Sequence, residues 1–480
     1  MCCESEANSM NSRIFNTRPS RREMLRSSAC GFGTLALSAL MQGEAMAASI
    51  SGPLAPKLSH FPARAKRVIF LFMHGGPSQV DTFDYKPQLI KDHGKPLPFN
   101  KPRVFSSQTG NLLKSPWEFR QYGASGAWVS DLFPQVAKHV DDMCIINGMH
   151  GSNSRHGAAL LELHTGSDTF VRPSMGSWIT YGLGTENQSL PGFITICPTL
   201  THGGATSWGS SFLPADYQGT AIGNAGIASD QAKIPFIENV DHLELHLQRQ
   251  ELDFAQTLNR SLLARTGPDS MLEARINSYE LAYRLQTAAP ELQEINDESD
   301  DTQKAYGLDQ PHTRNFGRQC LMARRFIEQG VRFVQCTHSY KWDQHGGLRA
   351  DHARNALEVD QPIAALLADL KSRGLLDETL VLWGGEFGRT PVSQGDDGRD
   401  HNPQGYTMWL AGGGVKGGIR HGATDEYGYF AVENKVHLHD LHATMLHLLG
   451  LNHLKLTYKF AGRDFRLTDV HGSVVNEIVS

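Results

Sequence analysis

Short apolar runs that stop abruptly in glycine, and then in histidine or a carboxylate, punctuate this chain. Arg67–Met73 is almost unbroken apolar residues and ends in His74-Gly75-Gly76-Pro77-Ser78, with Asp81 and Asp84 close behind. Met143–Asn147 ends in Gly148-Met149-His150-Gly151, and Val331–His338 leads into Trp342-Asp343-Gln344-His345-Gly346. Thr379–Trp383 stops in Gly384-Gly385-Glu386, and Arg389 follows, then Asp400-His401. A strand that is apolar without alternation is buried on both faces, the condition of a parallel sheet covered by helices. Phe193–Cys197 and Tyr406–Ala411 read as two further strands. Helical patterns separate them at 131–139, 158–164, 174–184, 360–373 and 438–449. The fold class expected is α/β, a doubly wound, mostly parallel sheet with helices on both faces.

The N-terminus has a different order. Arg21-Arg22 precede an apolar stretch of small residues, Ala29–Met41, and Ala45-Met46-Ala47 offers a cleavage site. This is the layout of a secretory signal, and the paired arginines point to the twin-arginine export machinery as a partner. The apolar stretch is too short for a stable membrane span. The expected division is a signal over 1–47, a proline-containing linker over 48–65, and one domain over 66–480. A helical segment is expected at about 238–330, and an ordered loop over the site at 201–229.

A net charge of −5 gives no basic footprint for nucleic acid. Cys2, Cys3 and Cys30 fall in the signal, leaving Cys144, Cys197, Cys320 and Cys336. None of these forms a C-x-x-C pair, so a thiolate zinc site is not expected, and one or two disulfides remain open.

In α/β folds ligands bind at the carboxyl ends of the strands. Here those ends carry His74, Ser78, Asp81 and Asp84; then Ser152, Ser154 and His156; then Asp343 and His345; then Glu386, Asp400 and His401. Histidine and carboxylate without cysteine is the ligand set of zinc, manganese, calcium or magnesium. Two such ions close together would clamp a displacement at phosphorus or sulfur. Ser154 and His156 stand where a loop enters a helix, a ready anion site. Arg389 is placed either to bind a substrate oxyanion in a bidentate pair or to brace Glu386. His439, Asp440, His442 and His447, on the late helix, read as surface or supporting groups.

The segments 67–87, 174–184, 342–346, 383–391, 398–403 and 439–450 resemble the signatures of a bacterial family, domain-of-unknown-function family 1501, in the right order. That family resembles a sulfatase-like branch of the alkaline phosphatase superfamily. The resemblance implies a metal-dependent hydrolase of phosphate or sulfate esters. By the same resemblance Asp81 is the early carboxylate, Asp343 and His345 a metal pair, and His401 the last histidine ligand. Glu386 stands where the superfamily has an Asp-His pair, with Phe387 in place of that histidine. No Cys or Ser stands in a C/S-x-P-S-R context. The segment 152–166 resembles the sulfatase nucleophile segment, which ends in Thr-Gly, and by that resemblance Ser154 is the candidate nucleophile, or His156 stands in its place as a ligand or base.

Two functions are expected from these readings. One is an exported metal-dependent hydrolase of small-molecule or polysaccharide esters. The alternative is an envelope protein that binds oxyanions or glycans at an eroded site.

Overall fold

In the computed structural model the run Arg67–Met73 forms β1, at the centre of a nine-stranded sheet. Its side chains alternate between two buried faces. Ile69, Leu71 and Met73 join one apolar core and Val68, Phe70 and Phe72 the other. That is why the run shows no polar alternation. The structure describes residues 52–100, 109–234, 244–267 and 269–480. The signal expected over 1–47 lies outside them.

After β1 come α1 (Gln79–Thr82), β2 (Met143–His150), α2 (His156–Thr165), α3 (Met175–Leu183), β3 (Phe193–Ile196) and β4 (Thr220–Ile222). The chain continues through α4 (Leu245–Thr266), α5 (Ser270–Gln293), α6 (Arg314–Glu328), β5 (Phe333–His338), α7 (Leu348–Ser372) and β6 (Thr379–Gly384). It closes with β7 (Gly388–Ser393), β8 (Arg399–Asn402), β9 (Tyr406–Ala411), β10 (Ile419–His421), β11 (Val436–His437) and α8 (Leu438–Leu448).

The main sheet runs β10-β2-β9-β6-β1-β5-β3-β4, with β11 also on β2. Every pairing is parallel except those of β9, which is antiparallel to both neighbours. Helices α6 and α7 cover one face through residues such as Phe326, Val359, Ile363 and Leu366. Helices α2, α3 and α8 cover the other through Leu160, Trp178, Leu441 and Met445. This is the doubly wound α/β arrangement expected. Helices α4 and α5 form the long helical segment and are joined by a fork from Arg249 to both oxygens of Glu280, at 3.0 and 2.8 Å.

Several local expectations differ. From Pro53 the stretch expected as a linker belongs to the same unit as the domain, with Lys57 N–H donating to the Leu183 carbonyl and Ala65 N–H to Leu448. The helix expected at 131–139 is a turn followed by a 3-10 helix, Val136–Asp142. Pro134 lacks an amide donor, and the Asp360 carboxylate instead accepts the N–H groups of Gln135 and Val136 at 2.9 and 2.8 Å. Helix α7 begins at Leu348, well before the expected 360, and runs through Pro362. All four described cysteines are buried and free.

Two histidines are packed neutral into this frame. His352 lies under Trp342 and accepts the Ser78 N–H at 3.1 Å, and burial pushes it down to about 3. His442 meets the Leu163 carbonyl at 2.8 Å, and burial pushes it down to about 3 as well. An unfolded histidine titrates near about 6.5. Between that value and about 3 the unfolded chain therefore holds more protons, so stability is full above the window and is lost as pH falls through it. Denaturant unfolding at pH 5 should show on the order of 3 kcal/mol less stability than at pH 7. Equal midpoints at the two pH values would contradict the buried neutral state.

Candidate metal centre

The carboxyl ends of β6, β1 and β5 lie side by side, and the loops leaving them meet. The first contact is Glu386. Both of its oxygens accept the Gly75 N–H, at 3.0 and 3.1 Å. The backbone turns sharply here: Gly75 and Gly76 have φ of +118° and +86°. A Cβ on Gly75 would stand 2.7 Å from the Asp343 backbone nitrogen, and one on Gly76 2.7 Å from the Phe387 ring. Only glycine fits both the torsion and the gap.

His156, the first residue of α2, bridges two carboxylates. Its Nδ1 is 2.6 Å from Glu386 and its Nε2 is 3.3 Å from Asp343. Burial alone would lower its pKa, but the two carboxylates outweigh burial and raise it to about 9. Burial would raise Glu386, and the His156 contact instead brings it down to about 2. His74 follows β1 directly; it is fully buried, and neither ring nitrogen has a hydrogen-bond partner. Burial pushes it down to about 4, which leaves it neutral with a lone pair to offer.

The hairpin β7–β8 brings the remaining groups. His401 pairs with Arg389 across it. His401 Nδ1 is 2.6 Å from the Ser154 carbonyl, and His345 Nδ1 is 2.5 Å from the Gln394 side-chain oxygen. Each of those nitrogens must carry the hydrogen, because the partner only accepts. The Nε2 lone pairs therefore face each other at 2.9 Å, and both face Asp343 Oδ1 at 3.0 Å. Three acceptors converge with no hydrogen between them. Protonating one ring relieves this; Asp343 raises His345 and so favours it. A divalent cation at the same point relieves it without the extra proton.

Two ligand groups result, each with its donor atoms within 4.8 Å of one another: His74, His156 and Glu386; and His156, Asp343 and His401. A third, His345, Asp400 and His401, overlaps the second. Nitrogen and carboxylate donors of this kind fit zinc or manganese better than the all-oxygen sites of calcium and magnesium.

The structure thus brings together His156, Asp343, His345, Glu386, Asp400 and His401. Asp400 accepts the backbone N–H of His401 at 2.8 Å. Ser154 borders the cluster through its carbonyl. Arg389 is wholly buried, and its guanidinium donates to the carbonyls of Gly75, Gly76 and Arg399 and to Asp343 at 2.6 Å. It braces Asp343 and the β1 loop, not Glu386. Asp81 is turned away into a buried fork with Arg399, 2.6 and 3.1 Å, and accepts the Ser78 hydroxyl at 2.5 Å. Burial would raise its carboxyl, and Arg399 holds it below the usual range.

Sequence reasoning placed His74 among the strand-end groups but did not single out Tyr340 or His202. Tyr340 donates to Asp343 Oδ2 at 2.6 Å. His202, on the 201–229 loop, stacks on His156 with ring centroids 5.0 Å apart. The signal for His74 was its place at the end of β1; nothing in the sequence marks His202. Phe387 stacks on His401 at 4.5 Å and leans on His156 at 4.9 Å, holding both rings from one side.

No curated protein matches the chain in sequence. Similar solved structures include the lipoteichoic acid synthase LtaP from Listeria monocytogenes, at 9% identity and a TM-score of 0.38, covering 86% of this chain and 78% of that one. The PsFucS1 sulfatase from Pseudoalteromonas sp. matches at 13% identity and a TM-score of 0.34, covering 87% and 71%. An alkaline phosphatase from the Antarctic bacterium TAB5 matches at 10% identity and a TM-score of 0.33, covering 80% and 98%. The family described as "Protein of unknown function (DUF1501)" matches residues 65–479, from the start of the sheet to the C-terminus, and the chain belongs to that family.

Proposed function

We propose that this protein is an exported, metal-dependent hydrolase of phosphate or sulfate esters, with a small molecule or a polysaccharide as substrate. The observation that carries this reading is the pair of ligand groups that share His156, with the His345 and His401 lone pairs turned onto one carboxylate oxygen. The ligand set is His74, His156 and Glu386 on one side and Asp343, His345 and His401 on the other. Divalent ions in these positions would polarise the ester oxygens and lower the pKa of the attacking group.

The chain's own residues supply the rest. No side chain caps α2, so its first amides are available to an ester oxyanion. Ser154, whose carbonyl meets His401 at 2.6 Å, is the nucleophile in this reading, through its hydroxyl. His156, between two carboxylates, is placed to hold or pass a proton. The buried Phe387 ring covers His156 and His401 on one side. Arg389 fixes the angle of Asp343, and Asp400 fixes the backbone at His401. The twin-arginine pattern of 1–47 supports export to the periplasm or envelope. Among the described residues no helix is long and apolar enough to cross a membrane.

A second reading has one observation in its favour. The Arg389 guanidinium is held by protein acceptors, so it offers no fork to an oxyanion. A binding protein without turnover would fit that. Turnover of aryl phosphate and aryl sulfate by the metal-loaded chain separates the two. Activity that disappears with a chelator and returns with zinc or manganese is expected. In His156→Gln, kcat should fall by roughly 100-fold or more. Tight oxyanion binding without turnover would sink the hydrolase reading and leave the second.

A further inference from the structure

A second histidine cluster stands apart from the site above, against the start of α8. His437, His439 and Glu162 place one donor atom each within 4.8 Å of the others. Glu162 lies on α2, six residues after His156, which is about 9 Å of helix rise. The two clusters are therefore separate.

The hydrogen bonds of this cluster do not close by themselves. His439 Nε2 is 2.9 Å from the Gly166 carbonyl, so that nitrogen carries the hydrogen and Nδ1 is a lone pair. His437 Nδ1 accepts the backbone N–H of His439 at 3.2 Å, so it carries no hydrogen of its own, and Nε2, 3.1 Å from the Ser152 hydroxyl, carries it. The two Nδ1 atoms nevertheless face each other at 3.0 Å. Beside them Glu162 is only 2% exposed. It accepts the Ser152 N–H and hydroxyl at 2.9 and 2.6 Å. Among the described residues its one ion-pair partner is His437, at 3.5 Å. A buried carboxylate without a cation is costly, and so are two opposed lone pairs. A metal ion that takes the His439 Nδ1 lone pair and the Glu162 charge, with His437 Nδ1 exchanging its 3.2 Å backbone hydrogen bond for the ion, relieves both.

The surroundings suit one. A cleft of about 380 Å³ opens onto the cluster. The rings of His150 and His471 flank it, 4.9 Å from His437 and 5.1 Å from His439. Two imidazoles and a carboxylate with one open side is a zinc donor set. We infer that Glu162, His437 and His439 bind a zinc-type divalent ion that ties the middle of α2 to the start of α8. The ion would brace the helix whose first residue is His156. This differs from the surface or supporting role expected for the late histidines, since His439 is buried within the cluster.

Diffraction from crystals of the full chain equilibrated with zinc chloride, recorded on both sides of the zinc edge, tests this. An anomalous peak between the three side chains is expected, distinct from any peak at Asp343 and Glu386. In solution, His439→Gln and Glu162→Gln should each bind one zinc fewer per chain than the parent. Glu162→Gln keeps one accepting oxygen for Ser152, His439→Gln keeps the backbone N–H that His437 accepts, and the crystal measurement needs no variant at all. Absence of the peak, or zinc counts unchanged in both variants, would overturn the assignment whatever happens at the first centre.

Discussion

Replacing Asp343 with asparagine is expected to lower divalent-metal affinity by at least about 100-fold, with the thermal midpoint close to that of the parent. Altering groups that merely orient metal ligands costs about 10- to 100-fold, and Asp343 is more central than that. It meets His156, His345, His401, Arg389 and Tyr340 at distances from 2.6 to 3.3 Å. Burial would raise its carboxyl, and these partners hold it far below the usual carboxylate range. Asparagine has the same shape but no charge to balance a cation. The fold should tolerate it better than a change at a wholly buried carboxylate, because Asp343 is 14% exposed, so water reaches it, and it meets Arg389 at one guanidinium nitrogen only. Metal titration with calorimetry, alongside a thermal melt, checks both halves. An unchanged affinity would remove Asp343 from the ligand set.

Asp81→Asn should do the reverse. Asp81 and Arg399 are each wholly buried and form a two-point pair. Removing one partner leaves a guanidinium in the core facing an amide, a loss of about 3–5 kcal/mol. That is a large share of the roughly 5–15 kcal/mol that holds a domain folded. Metal affinity per folded molecule should change little, because Asp81 contributes to neither ligand group. Urea unfolding gives the first quantity and metal titration the second. A variant as stable as the parent but unable to bind metal would return Asp81 to the ligand set.

These two aspartates show what the sequence could and could not convey. The sheet was legible because β1, β5 and β6 are buried on both faces, so their apolar runs are continuous. The strand ends were legible for the same reason, and Asp343, Glu386 and His401 were found there. The choice between His74 and Asp81 was not legible. It depends on Arg399, which is remote in sequence and reaches Asp81 only in the folded chain. The hairpin β7–β8 was also hidden. Arg389, Thr390, Arg399 and Asp400 are all polar, yet all four are buried, with the arginines satisfied by backbone carbonyls and by Asp343 and Asp81. Hydropathy carries no signal for a strand of that kind. The second histidine cluster was missed on similar grounds, since Glu162 and His439 lie on helices that meet only after folding.

The central claim is that divalent metal sits among His74, His156, Asp343, His345, Glu386 and His401. Elemental mass spectrometry of the protein, purified without a histidine tag and compared with Asp343→Asn, tests it most directly. One or more divalent ions per chain, with a clear loss in the variant, is expected. No bound metal after reconstitution with zinc, manganese, calcium and magnesium, or the same content in both proteins, would contradict it.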